Sequence, residues 1–408
     1  METLLAVPKG AGAYSYKPRY GQSLLSYRPL IAAYEGLERL GYINVDTPGH
    51  WDKKQKRGKV TRIDAKRKLT KRFDELFPDD IVIFTRHPHE EAIQLKDEDK
   101  DRIDYQDNEY TQRARHNLEL INACLNRHWY DLDLTNEQFE TLYAEMVEQH
   151  KRKPKKPPVI NFAARNLYRV YNNGSKDSSE ENFKQGGRFF GGWWESLVSD
   201  YRRYITINEK PTVEIDYSEL HPHIMYAMEG LQMKGGAYAI EGVTRDHAKT
   251  AFQQLINGTG RVRRPDDFDP VAEGMSWKEV LGELRKRHAL IAKYFDSGYG
   301  IELQNKDSQI IENILLHFSS RNIPCLPIHD SIIVHHDLKD ELKGMMLDEY
   351  RKALGMDIGL KECDGYKLFI ERYQGQGENT ASIEDILADE ETSQYRRRLR
   401  AWYKQHHY

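Results

Sequence analysis

A chain of 408 residues with 39% apolar and 31% charged side chains is long enough for two or three domains and too rich in core-forming residues to be disordered. A net charge of −3 neither demands nor excludes a polyanionic partner, and no run of about 18 apolar residues exists to cross a bilayer. The opening residues lack the basic-then-apolar pattern of a secretory signal. Three scattered cysteines (Cys124, Cys325, Cys363) without a CxxC exclude a zinc ribbon or disulfide framework, so the expected setting is the cytoplasm.

Apolar residues recur at helical spacing over Leu24–Leu40, and Gly41 supplies a C-cap. Tyr42–Val45 then reads as a strand, Pro48–Gly58 as a Gly- and Lys-rich turn, Lys59–Ile63 as a strand and Ala65–Leu76 as a helix. Helix, strand, basic turn, strand is the outline of a winged-helix-like domain, placed at 1–107; an ordinary α+β packing unit shares it. Two long amphipathic helices follow, Asn108–Leu132 and Asn136–Lys151, and a basic, proline-broken hinge closes this helical segment at 158. Further on, Thr212–Asp216 reads as a strand, and Pro222–Glu229, Arg245–Ile256, Trp277–Tyr294 and Ser308–Arg321 as helices. Ile328–His335 is a second strand, Leu338–Leu354 a helix and Tyr366–Glu371 a last strand. The tail, 376–408, is acidic and then basic. The fold class expected is α+β.

Charge is segregated along the chain. Trp51–Phe73 holds eleven Lys or Arg against Asp52 and Asp64, and Lys151–Pro157 (KRKPKKP) has five positive charges, among them Lys153, Lys155 and Lys156. Tyr395–Lys404 interleaves arginines with aromatics. Solvated helix faces account for any one such run, whereas three together suit basic faces laid on phosphate.

The chemistry centres on two aspartates. Asp216 ends the strand TVEID, and Asp330 lies in IHDS, in the run Ile328–His335. Two strands that each deliver a carboxylate are what a pair of Mg²⁺ ions needs for phosphoryl transfer, with Mn²⁺ as a substitute. Alone, each would be an ordinary cap or turn residue. Between them, Arg245 and Lys249 lie one turn apart on a helix and share a face, so both can grip one triphosphate.

DYSELHP around Asp216, IHDS around Asp330 and R-x₃-K-x₈-G from Arg245 to Gly258 resemble, in order, the motifs of the family A DNA polymerases and the single-subunit phage-type RNA polymerases. Gly187-Arg188 resembles a fourth. The resemblance implies a right-hand polymerase palm and reduced fingers at 159–375, with the helical segment 108–158 thumb-like. It implies that Asp216 and Asp330 hold the metals and that His329 lies beside the primer terminus. Arg188, with Arg202 and Arg203, would contact the duplex, and Gln304 the template strand. Gln253 and Asn257 stand where the family has aromatics in its nucleotide pocket, a departure that puts templating in doubt. The aromatic run Phe189-Phe190-Gly191-Gly192-Trp193-Trp194 reads equally as core packing. No Asp-x-Glu proofreading signature precedes these motifs.

His221, five residues past Asp216, stands where the family distinguishes sugars; an imidazole can exclude a 2′-hydroxyl or bond it. His221 and His223 also form a metal-ligand pair without an evident third member. The expectation is therefore a template-directed nucleotidyl transferase adding nucleotides to a 3′-OH, with DNA as template and dNTPs favoured, as in replication of a phage, plasmid or other mobile element. Its partners would be DNA and nucleoside triphosphates. The alternatives are an RNA polymerase or primase, and a non-catalytic DNA-binding replication protein with a degenerate polymerase core.

Overall fold

Strand β11 (Lys210–Tyr217) shows the alternation on which the fold is organised: Val213, Ile215 and Tyr217 are buried, whereas Glu214 and Asp216 on the opposite face are only half-buried. The computed structural model describes residues 5–7, 27–47, 50–52, 57–59, 61–76, 91–152, 160–174, 180–258, 262–373 and 393–407. Contacts divide the chain into two units, one of residues 1–91, 383–392 and 396–408, the other of residues 92–382 and 393–395.

In the first unit, β1 (Leu5–Val7), α1 (Tyr27–Arg39), β2 (Ile43–Thr47), β3 (His50–Asp52), β4 (Arg57–Lys59), β5 (Thr61–Ala65) and α2 (Arg67–Leu76) follow in order. The sheet order is β1-β5-β2, all antiparallel, and β3 and β4 form a separate ribbon. Gly41 takes φ +74° as α1 ends, and the Tyr42 amide donates back to the Leu37 carbonyl at 2.9 Å. This is the left-handed cap expected of a glycine there. Tyr34 and Ile43 are buried, with Val45 and Leu69 packed on them.

The second unit begins with β6 (Ile93–Leu95), α3 (Glu109–Asn126), β7 (Tyr130–Leu132), α4 (Asn136–Arg152), β8 (Tyr168–Tyr171), β9 (Gly186–Phe190) and β10 (Ile205–Ile207). After β11 come α5 (Leu220–Met228), α6 (Arg245–Asn257), α7 (Trp277–Arg287) and α8 (Gly300–Ser319). It continues with β12 (Leu326–Ile328), β13 (Ser331–His335), α9 (Lys339–Leu354), β14 (Leu360–Asp364) and α10 (Tyr366–Tyr373); a further helix, α11, spans Gln394–His407. The main sheet runs β12-β13-β11-β10-β7, with β14 on the other edge of β11. A smaller sheet pairs β6 parallel and β9 antiparallel to β8. The architecture is mixed α+β, and no described helix is long and apolar enough to cross a membrane.

Several elements depart from expectation: the stretch 48–58, read as a turn, holds β3 and most of β4, and Ile328–His335, read as one strand, is broken at His329 and Asp330 into β12 and β13. The helix from Asn108 stops at Asn126, and Tyr130–Leu132 instead pairs with β10; all three residues are buried, a pattern a half-exposed helix cannot provide. The helix from Trp277 stops at Arg287 because His288 turns inward, its ring nitrogens bonded to the Tyr226 hydroxyl and the Ala237 carbonyl; a 3₁₀ segment continues to Tyr294. Helix α8 begins at Gly300 rather than Ser308. Tyr366–Glu371 is helical, and the last strand is Leu360–Asp364, whose charged LKECD reads as loop but suits an edge strand. Gly365 joins the two where a Cβ would lie 2.3 Å from the Arg203 carbonyl.

The tryptophan pair is core. Trp194 is fully buried, stacks edge-on against Tyr130 and donates from Nε1 to the Pro327 carbonyl at 2.9 Å, which fixes the start of the β12–β13 hairpin. Trp194→Ala is expected to lower the unfolding free energy by about 3–5 kcal/mol and Trp194→Phe by less. Urea titration checks this, and equal losses for the two variants would contradict the packing role.

Candidate active site

Pairing of β11 with β13 sets Asp216 opposite Ser331, the residue after Asp330. Between β12 and β13 only His329 and Asp330 remain outside the ladder, since Ile328 pairs with Ser331. A two-residue hairpin needs a positive φ, and His329 supplies it at +57°. The Ile215, Ile332 and Val334 side chains bury the strands, and their ends carry both carboxylates to one edge of the site. His329 is exposed, with its ring edge-on to Phe190 at 6.0 Å.

The charges report the proximity. Asp216 is pushed up from its ordinary 3.8 to about 7, first by burial and then by the negative charges of Asp330 and Glu214; Lys249 and Lys361 oppose the rise. Lys361 faces Asp216 across the β14 register. Glu214, two residues before Asp216 on the same strand face, accepts from Ser331 Oγ at 2.7 Å and pairs with Arg202 at 2.6 Å. Arg202 is thereby committed to a carboxylate. Arg203 donates to the Asp200 carbonyl.

A second cluster flanks the first. Asp307, fully buried on α8, pairs with Arg188 of β9 and with His221 of α5, whose Nε2 is 2.9 Å away. Burial opposes the Arg188 charge but Asp307 outweighs it, with a further contribution from Asp330, so the guanidinium pKa is raised. Gln304 is half-buried on the same helix, one turn before Ser308. His223 is half-buried, and burial lowers its pKa.

Helix α6 presents the remaining residues. Ala248, Ala251, Phe252, Leu255 and Ile256 bury one face, which leaves Arg245, Lys249, Gln253 and Asn257 on the exposed one. Arg245 pairs with Glu219 at 3.0 Å. Among the described residues no side chain bonds Lys249, whose charge acts on Asp216. Asn257 lies over the first turn of α8, where a Cβ on Gly300 would meet its Oδ1 at 1.9 Å. Lys153, Lys155 and Lys156 lie outside the described residues.

Sequence does not single out Asp307, Glu214, Glu219 or Lys361, and three of them carry no local signature. Glu214 alone had one, since a strand residue two before Asp216 shares its face.

A carboxylate held at about 7 by burial and then by a like charge is a site that gains from a cation, and hard oxygens suit Mg²⁺. Among the described residues no group of three or more His, Cys, Asp or Glu converges as a ready-made metal cage. Two carboxylates, Asp216 and Asp330, are what the described residues bring together here.

The pH dependence follows. The folded chain keeps the Asp216 proton to about pH 7, whereas the unfolded chain loses it near 3.8. The folded state therefore binds more protons between these values, and this group's contribution to stability falls as pH rises through that window. Asp216→Asn should raise the thermal midpoint above pH 7 but not near pH 4, and Mg²⁺ should raise it at pH 8 in the wild type more than in the variant. Identical pH profiles for both proteins would contradict the assignment.

No protein-family model matches the chain, and no curated protein does. Among solved structures it is similar to the POL domain of Pol1 from M. smegmatis in complex with DNA primer-template and dNTP, at 10% identity and a TM-score of 0.32. The match takes in 63% of this chain and spans 64% of that one, just under two thirds of its length.

Proposed function

We propose that the chain is a template-directed nucleotidyl transferase that extends a 3′-OH with nucleoside triphosphates on a DNA template. The observation that carries this reading is the pair Asp216 and Asp330, brought to the ends of adjacent antiparallel strands and close enough for one charge to oppose ionisation of the other. Lys249, on a separate helix and bonded by no side chain among the described residues, acts electrostatically on Asp216.

Asp216 and Asp330 would hold two Mg²⁺ ions, or Mn²⁺ in their place. Bound there, such ions lower the pKa of a 3′-hydroxyl and offset charge on a leaving pyrophosphate. Lys249 and Arg245 would meet the triphosphate and stabilise charge as it builds in the transition state. His329 would sit at the primer terminus, and Arg188, held by Asp307, would address the duplex. His221 would face the sugar, with Gln253 and Asn257 on the exposed side of α6 toward the incoming nucleotide. Gln304 would contact the template strand and Arg203 the duplex, whereas Arg202 is taken up by Glu214. The basic residues of 51–73, with Lys153, Lys155 and Lys156, would contact the phosphate backbone, the first unit acting as a winged-helix-like DNA contact.

The decisive experiment is primer extension with Mg²⁺ or Mn²⁺, with dNTPs and NTPs supplied separately on primed and unprimed DNA. Asp216→Ala and Asp330→Ala should each cut incorporation on the order of 10³-fold, the rate equivalent of several kcal/mol of lost charge stabilisation. DNA affinity in a gel shift should not change. Extension with NTPs alone would make the chain an RNA polymerase or primase. Tight DNA binding with no incorporation by the wild type would identify a non-catalytic replication protein.

A further inference from the structure

Glu219 stands three residues past Asp216 and has no part in the reaction as described. It opens α5 with φ +54°, a left-handed conformation that costs a residue bearing a Cβ about 1–2 kcal/mol and persists only where surroundings hold it. Both carboxylate oxygens are occupied. Oε1 accepts from Arg245 Nη2 at 3.0 Å and Oε2 accepts from the Ala237 amide at 2.6 Å. The Glu219 side chain is 12% exposed against 48% for Arg245, so the acid is the fixed partner and the guanidinium faces outward.

Arg245 needs such a partner. It is the first residue of α6, where the positive end of the helix dipole disfavours a cation. Its guanidinium carbon also lies 5.2 Å from the centre of the Tyr238 ring. The loop that presents Ala237 and Tyr238 is tied in turn: Arg287 donates twice to the Gly236 carbonyl, and His288 Nε2 bonds the Ala237 carbonyl. A guanidinium has five N–H donors, and Glu219 takes one of them. Among the described residues Arg245 makes no other hydrogen bond, so most of its fork remains for a second anion.

We infer that Glu219 is a positioning residue for the incoming nucleotide: it ties the turn after Asp216 to the first residue of α6 and aims Arg245 at the triphosphate. The inference rests on the polymerase reading above and adds to it the group that orders its nucleotide-binding arginine.

The test uses Glu219→Gly, Arg245→Ala and the double variant in the full chain. Glycine adopts the left-handed conformation without strain, so Glu219→Gly removes the carboxylate and spares the turn. KM for the nucleoside triphosphate should rise about tenfold, as for one charge-assisted hydrogen bond. The maximal rate should fall no further than in Arg245→Ala, the primer–template dissociation constant should not move, and Glu219→Gly should add nothing in the Arg245→Ala background. An unchanged KM, losses that multiply in the double variant, or a parallel fall in rate and template affinity would each overturn it. Titration of the wild type with a fluorescent triphosphate separates the two readings. No binding and no incorporation removes both, whereas normal incorporation with a KM indifferent to Glu219 removes this one alone.

Discussion

Repulsion between two carboxylates at the ends of paired strands is the constraint to which the rest of the second unit answers. The register that sets Asp216 opposite Ser331 is made by apolar residues, Ile215, Ile332 and Val334, and it leaves Asp330 no other place to go. Burial then amplifies the like charge, because fewer water dipoles screen it. Lys249 and Lys361 approach from α6 and β14 and ease it in part. Glu214 adds a third negative charge but is itself neutralised by Arg202.

Helix α8 carries the second layer of support. Asp307 meets Arg188 and His221, and further along the same helix Glu312 meets the fully buried Arg169 at 2.7 Å while Ser308 bonds the same guanidinium. Buried ion pairs contribute little net stability, but removing one partner leaves an uncompensated charge and costs far more. The arrangement fixes β8, β9 and α5 against one helix with little freedom to shift.

Much of this was legible in the chain and part was not, for a physical reason. Periodicity located α1, α6, α9 and the strand to Asp216 to within a few residues, because each buries one face and local sequence records it. Gly41 was legible as a cap because the backbone there requires a positive φ. The failures lie where tertiary partners decide. Tyr130–Leu132 became a strand because β10 was available to pair with it, and Leu360–Asp364 did so as a charged edge beside β11. At the site, Asp216, Asp330, Arg245 and Lys249 stood out by residue type and order. Asp307 and Glu219 did not, since their partners lie 119 and 26 residues away and nothing near them in sequence marks the pairing.

The two-residue turn at His329 and Asp330 also bears on how such a chain can change over time. Strand side chains alternate, so one residue gained or lost there would slide β13 by a position and carry Ile332 and Val334 together to the other face of the sheet. The connection between α6 and α7 obeys no comparable register. Length variation among descendants should therefore accumulate between those helices and spare the turn, so that the spacing around Asp330 outlasts the identities of its neighbours.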